Sequence, residues 1–213
     1  MAVVETTSLA QEPDARGRIL LAAERAFTQR GFHATTMQDV AAEAGMSPGN
    51  LYRYFRSKDA IVAGLCARDQ ADLAADFRAL VASGDILAAM RAILRKHLIE
   101  EPAECFQLMV EIWAESARNA EIAAICREFD HEVRRGLKTV IAGAKQQGVA
   151  ARDLDEDFAA RAILTIGSGL FKRRATEAAF DGESELILGL AMVRAVLRGD
   201  VYPDPAADAE AVR

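Results

Sequence analysis

The stretch MSPGNLYRYFRSKDA, residues 46–60, gathers side chains suited to recognition chemistry. Residues 46–58 hold three cations (Arg53, Arg56 and Lys58) and no acid. The Asn50 amide offers a donor and an acceptor together, the pattern that the adenine edge requires. The Arg53 fork matches the paired acceptors of guanine, or a phosphate. Asn50 and Arg53 are three apart, so on a helix they share one face. Tyr52 and Tyr54 flank them and can give hydroxyls to phosphates. Lys58, in the first turn of a following helix, adds its charge to a positive helix N-terminus and makes a phosphate clamp.

Those side chains need a scaffold, and the neighbouring sequence predicts one. Ile19, Ala23, Ala26 and Phe27 form a helical stripe that Gly31 ends. Thr36 can cap the next helix, with Asp39 three residues on. Met37, Val40, Ala41 and Ala44 give that helix one apolar face, and Gly45 closes it. Ser47 is an N-cap and Pro48 a first helical residue, so the proline starts a helix. Leu51 and Phe55, four apart, supply its buried back. Helix, glycine turn and short second helix over 36–55 have the shape of a helix-turn-helix. Such a reading helix must carry small or polar residues where it enters a major groove about 12 Å wide. Pro48, Gly49 and Asn50 meet that demand. The same residues also suit a plain helical turn with half-buried tyrosines, so spacing alone leaves both readings open.

The whole chain has 213 residues, is 51% hydrophobic and carries a net charge of −6. Residues 1–58 hold seven Lys/Arg and six Asp/Glu, whereas the rest hold nineteen and twenty-six. A non-acidic N-terminal unit therefore precedes an acidic body. Abundant Ala and Leu predict an all-α fold of about nine helices. No window of ~18 apolar residues marks a membrane span, and the first residues lack the pattern of a secretory signal. Cys66, Cys105 and Cys126 form no C-x-x-C, and His33, His97 and His131 show no metal spacing. The expectation is a cytoplasmic protein without a cofactor or metal.

Residues 35–65, TTMQDVAAEAGMSPGNLYRYFRSKDAIVAGL, resemble the DNA-binding domain of TetR-family transcriptional regulators. The resemblance rests on Thr35–Thr36, Val40–Ala41, Ala44 to Ser47, Leu51–Tyr52, Tyr54–Phe55, Lys58 and Leu65. It extends without a gap from about residue 16, through a first helix and a G-F-x-x-T-T exit. Met46 stands where the family favours Val. The resemblance implies an all-α homodimer: a three-helix helix-turn-helix domain, then a larger helical domain that binds a small-molecule effector and dimerises. It assigns DNA contact to Thr36, Gln38, Ser47, Gly49, Asn50, Tyr52 and Arg53, with Tyr54 and Lys58 on phosphates. It implies a repressor of a palindromic operator, whose reading helices meet successive major grooves about 34 Å apart. The partners are double-stranded DNA, an effector and a second copy, with no membrane.

The expected organisation is a loose arm at 1–13, the DNA-binding domain at 14–58, the effector and dimerisation domain at 59–200, and a loose tail at 201–213. Further helices are predicted near 85–100, 103–118, 119–147, 155–179 and 183–199. The 105–114 segment, apolar on nearly every side, predicts a central buried helix. Phe106, Met109, Val110 and Trp113 fall on one side of it. With Phe77 and Phe129 they are candidates to line an effector pocket, although ordinary core is the plain alternative. An apolar pocket suits efflux-pump inducers and fatty-acyl or other lipophilic compounds alike. Glu104, Gln107, Glu111, Glu115 and Arg118 form the opposite stripe, read as a solvated face, with Glu111 or Glu115 facing a cavity and receiving a cationic compound as the alternative. For the interface the resemblance points to the last two helices, with Phe158, Ile166, Gly169, Leu186, Leu190, Val193 and Leu197 as candidates. Lys172, Arg173 and Arg174 read as solvated cations. A chromosome-organising protein of the same fold is one alternative. An enzyme is another, but no G-x-G-x-x-G, G-x-S-x-G, H-E-x-x-H or nucleophile–base pair occurs.

Overall fold

The computed structural model describes residues 14–201 and contains nine α-helices and no strand among them. The expected arm at 1–13 and nearly all of the tail lie outside the described residues. The chain divides into two compact units, the first ending at Ile61 and the second starting at Val62.

In the first unit every helix begins on a polar cap. Asp14 accepts from the Gly17 N–H at 2.7 Å and starts α1, Ala15–Arg30. Thr36 and Asp39 form a reciprocal capping box at the head of α2, Met37–Glu43. Ser47 accepts from the Asn50 N–H and Pro48 opens α3, Pro48–Tyr54. Gly45, at φ 65°, makes the α2–α3 turn in a conformation few other residues tolerate. The core is what the apolar stripe predicts: Ile19, Ala23, Phe27, Val40, Leu51 and Phe55 are all buried.

The helix α4, Lys58–Ala82, starts in the first unit and runs into the second. The second unit continues with α5, Ile86–Arg95, a π-helical turn, Lys96–Glu100, and α6, Ala103–Ser116. It ends with α7, Ala120–Gln146, α8, Glu156–Thr176, and α9, Gly182–Arg198. The predicted 85–100 helix is thus continuous, with a π-helical last turn. Lys96 and His97 on the π turn reach Asp76 of α4 at 2.8 and 2.7 Å. Burial opposes the Asp76 charge, but those two partners outweigh it and hold the carboxyl below its usual range. The core draws Leu80 from α4, Ile86 and Met90 from α5, Val140 and Ile141 from α7, and Leu186, Leu190, Val193 and Leu197 from α9.

Two expectations are corrected here. Leu186, Leu190, Val193 and Leu197 are between 0% and 8% exposed in the single chain. Their regular spacing is the stripe that α9 buries in its own core. Gly189 belongs to the same side, because a Cβ there would sit 2.8 Å from Leu170 of α8. The second correction concerns α6, which is not buried all round. Only Phe106 and Leu108 are buried, while Met109, Val110 and Trp113 are half-exposed. No helix of the described residues is long and apolar enough to cross a membrane.

Candidate nucleic-acid interface

The third helix carries the site. Leu51 and Phe55 are 0% and 1% exposed and fix its back, and the Arg16 guanidinium lies 4.3 Å over the Phe55 ring. Ser47, Pro48, Gly49, Tyr52, Arg53 and Tyr54 are exposed. Asn50 is half-buried, and its amide makes only a weak 4.0 Å contact with the Met46 sulfur. A base edge can displace such a contact. Gly49 needs no special backbone, since it is absent from the positive-φ glycines, and a Cβ added to it would meet nothing within 4 Å.

Thr36 and Gln38 are exposed at the head of α2. The Thr36 hydroxyl donates to Asp39 at 2.6 Å and accepts from the Asp39 N–H. The Thr36 side chain and backbone, together with Arg30, hold the Asp39 carboxyl below its usual range. The helix is braced by ion pairs that the sequence does not announce, Arg30 to Asp39 and Arg25 to Glu43 at 2.8 Å. Each joins residues nine or more apart, so no local spacing signals it. The buried Thr35 hydroxyl donates to the Gly31 carbonyl at 2.8 Å and holds the exit from α1.

Lys58, the expected phosphate clamp, is engaged within the DNA-free domain. Its ammonium donates to the Phe32 carbonyl at 2.7 Å and the His33 carbonyl at 3.3 Å, and sits 4.6 Å over the Phe32 ring. The charge is spent on holding the α1–α2 connection against the start of α4. Lys58→Ala should therefore lower stability by about 1.5–3 kcal/mol, the worth of a lost charged hydrogen bond. The slope of operator affinity against salt should hold if the ammonium keeps these carbonyls on DNA, and should fall by about one unit if it serves a phosphate there. A thermal melt and a salt series check both. Arg56 is exposed between α3 and α4. Its place in the acid-free run 46–58 is the sequence signal for it.

Of the residues proposed for an effector, Phe77 alone lines the groove between α4 and α7. It shares this groove of about 410 Å³ with Leu73, Ala74, Val81, Val133, Gly136 and Thr139. Its ring occupies the space that a side chain at Gly136 would need. Phe129 is half-buried and is not among the groove's lining residues. Phe106 packs instead on Phe171 of α8, with ring centroids 5.4 Å apart. Met109, Val110 and Trp113 lie along α6 as well, half-buried, and are not among the groove's lining residues. Of the opposite stripe, Glu104 and Gln107 are exposed, but Glu111 and Glu115 are half-buried, and Glu115 pairs with Arg118 at 2.7 Å. Burial pushes the Cys66 thiol up to about 12, so it stays a neutral packing group at ordinary pH.

The expected interface residues divide likewise. Phe158 and Ile166 on α8 are half-buried, and Ile166 packs against the core. Gly169 is exposed with nothing near a would-be Cβ. On α9 the exposed apolar residues are Ile187 and Leu188.

A capped three-helix unit with a back-anchored, bare-tipped third helix defines a helix-turn-helix DNA-binding protein. Comparison with known proteins is consistent with this class. Residues 19–65 match the family of bacterial regulatory proteins of the tetR family, and residues 86–198 match the BetI-type transcriptional repressor C-terminal domain. The chain belongs to the TetR family of transcriptional regulators and is not an enzyme. The transcriptional regulator UidR of Escherichia coli K12 is 28% identical over 158 residues, covering 73% of this chain and 79% of UidR. TtgR of Pseudomonas putida is 29% identical over 185 residues, covering 80% and 84%. Among solved structures, GusR of Salmonella enterica has a TM-score of 0.73 at 28% identity, covering 89% of this chain and 98% of GusR.

Proposed function

We propose that the protein is a homodimeric repressor that binds a palindromic operator and is released by a small lipophilic effector. One observation carries the reading: Leu51 and Phe55 are withdrawn from water while Tyr52 and Tyr54 on the same helix are 49% and 41% exposed. A helix so mounted presents Gly49, Asn50 and Arg53 outward. In this reading Asn50 and Arg53 meet base edges, Gly49 allows close approach, and Tyr52, Tyr54 and Arg56 hold phosphates. Ser47, Thr36 and Gln38 contact the backbone near the helix starts.

Two apolar features support an effector site: the groove at Phe77 and the half-buried side of α6. An effector that binds one arrangement of the helical domain better than another shifts the population, and α4, shared by both units, carries the change. Pairing of two copies through α8 and α9 is supported by exposed Ile187 and Leu188 and by the open space at Gly167 and Gly169.

The test is a mobility-shift and footprinting series on DNA flanking the protein's own gene, with and without a panel of lipophilic compounds. A protected palindrome and its loss with one compound are expected. Uniform protection of unrelated DNA without any ligand response would instead mark a chromosome-organising role. Asn50→Ala should lower the ratio of operator to random-DNA affinity by about 1–3 kcal/mol. Equal loss on both DNAs would rule out its base-reading role.

A further inference from the structure

Arg174, near the C-terminal end of α8, does not have the solvated setting that its sequence suggests. It is half-buried, and its Nε is out of water without a hydrogen-bond acceptor. Its guanidinium lies 5.3 Å from the Phe180 ring centroid and 5.9 Å from that of Phe106. Among the described residues it makes no ion pair. Its neighbour shows what the fold does when a cation is to be neutralised internally. Arg173 is bonded to Glu177 at 2.8 Å and to Glu185 at 2.7 Å. Arg95 has Glu183 at 2.7 Å, and Lys145 has Glu156 at 3.1 Å. Two carboxylates serve Arg173 and none serves Arg174.

A guanidinium taken partly out of water without an acceptor is unfavourable. Ring faces replace some of the lost hydration, but they accept no conventional hydrogen bond. The missing element is an anionic oxygen group. A carboxylate fits best, because its two oxygens match the guanidinium fork. What surrounds the cation sets the rest of the ligand. Phe106 and Phe171 are in ring contact, and Met109 and Trp113 follow Phe106 on its side of α6 at helical spacing, half-buried. We infer that Arg174 anchors the carboxylate of a lipophilic organic acid whose apolar body lies against α6 and α8. This inference rests on the effector-responsive reading and narrows its ligand class from lipophilic compounds to lipophilic acids.

The test measures binding directly on the full-length protein without DNA. Quenching of Trp113, the single tryptophan, and calorimetry are followed for 4-phenylbutyrate and decanoate against their neutral amides. At least one acid should bind ten times or more tighter than its amide. Arg174→Gln should erase that difference by weakening the acid alone, and Arg174→Lys should restore part of it. Because the cation has no internal acceptor, ligand-free Arg174→Gln should melt no lower than wild type; a lower melting temperature would mean that Arg174 serves the fold. The inference also fails if neither acid binds, if acid and amide bind alike, or if the preference survives Arg174→Gln. It fails equally if Arg174→Gln weakens dimerisation and leaves ligand preference unchanged, since a second copy would then supply the acceptor. Operator release is read separately. An acid that binds through Arg174 without releasing DNA upholds the anchor and counts against the effector reading.

Discussion

Gly49→Ala should weaken operator binding at least about tenfold, roughly 1.4 kcal/mol, while leaving the protein as stable as before or more so. The two effects have separate causes. In the free protein nothing asks for glycine at this position: its φ is not positive and a Cβ would meet nothing within 4 Å. Alanine there reduces the freedom of the unfolded chain and suits a helix better, worth about 0.4–1 kcal/mol. For a chain of this size that raises Tm by roughly 1–4 °C. The penalty arises only against DNA, where the added methyl sits on the tip that enters the groove. Melting curves and mobility shifts at one fixed salt concentration measure the two sides. If the alanine variant binds as tightly as wild type, the tip does not make the close approach assigned to it.

Replacing Ile187 and Leu188 together by Glu should turn a dimer into a folded monomer, whereas Leu186→Ala should leave assembly alone and destabilise the fold. Ile187 is 64% exposed, Leu188 45% and Leu186 0%. Burying the exposed part of each of the first two in an interface is worth about 0.7–2 kcal/mol, and two-fold symmetry counts each twice. A glutamate in their place also brings a charge that the interface must desolvate. Leu186 packs in the core shared by α4, α5, α7, α8 and α9, so its truncation costs about 2–5 kcal/mol. Light scattering reports mass and a thermal melt reports stability. A monomer from Leu186→Ala with an unshifted melt, or a dimer that survives both glutamates, would reverse the assignment.

The α9 example shows where sequence reading stops. The spacing of Leu186, Leu190, Val193 and Leu197 is legible as one apolar side of a helix. A stripe says that a face will be buried but not by what. Inside this chain α5, the π turn and α8 already pack on α9, and Ile187 and Leu188, off the stripe, are left exposed. Arg174 makes the same point with charge. Lys172, Arg173 and Arg174 read alike as solvated cations. Yet Glu185 lies twelve positions from Arg173 and reaches it, while Arg174 is turned between Phe106 and Phe180. Lys58 matches its family position, but its ammonium is engaged by carbonyls 25 and 26 residues earlier.

What the sequence determined by itself is local. The caps at Asp14, Thr36, Ser47, Asn119 and Asp155, the turn at Gly45 and the pairing of Leu51 with Phe55 all act within four residues along the chain, so spacing suffices to read them. From these follow the helical fold, the helix-turn-helix and the bare tip at Pro48–Gly49–Asn50. The tertiary structure decided which apolar sides meet one another, which cations find carboxylates and which groove Phe77 enters. Most of those contacts reach beyond one helical turn, from twelve positions for Arg173–Glu185 to 88 for Arg95–Glu183. Their outcome depends on how whole helices pack, and no short window of sequence contains that information.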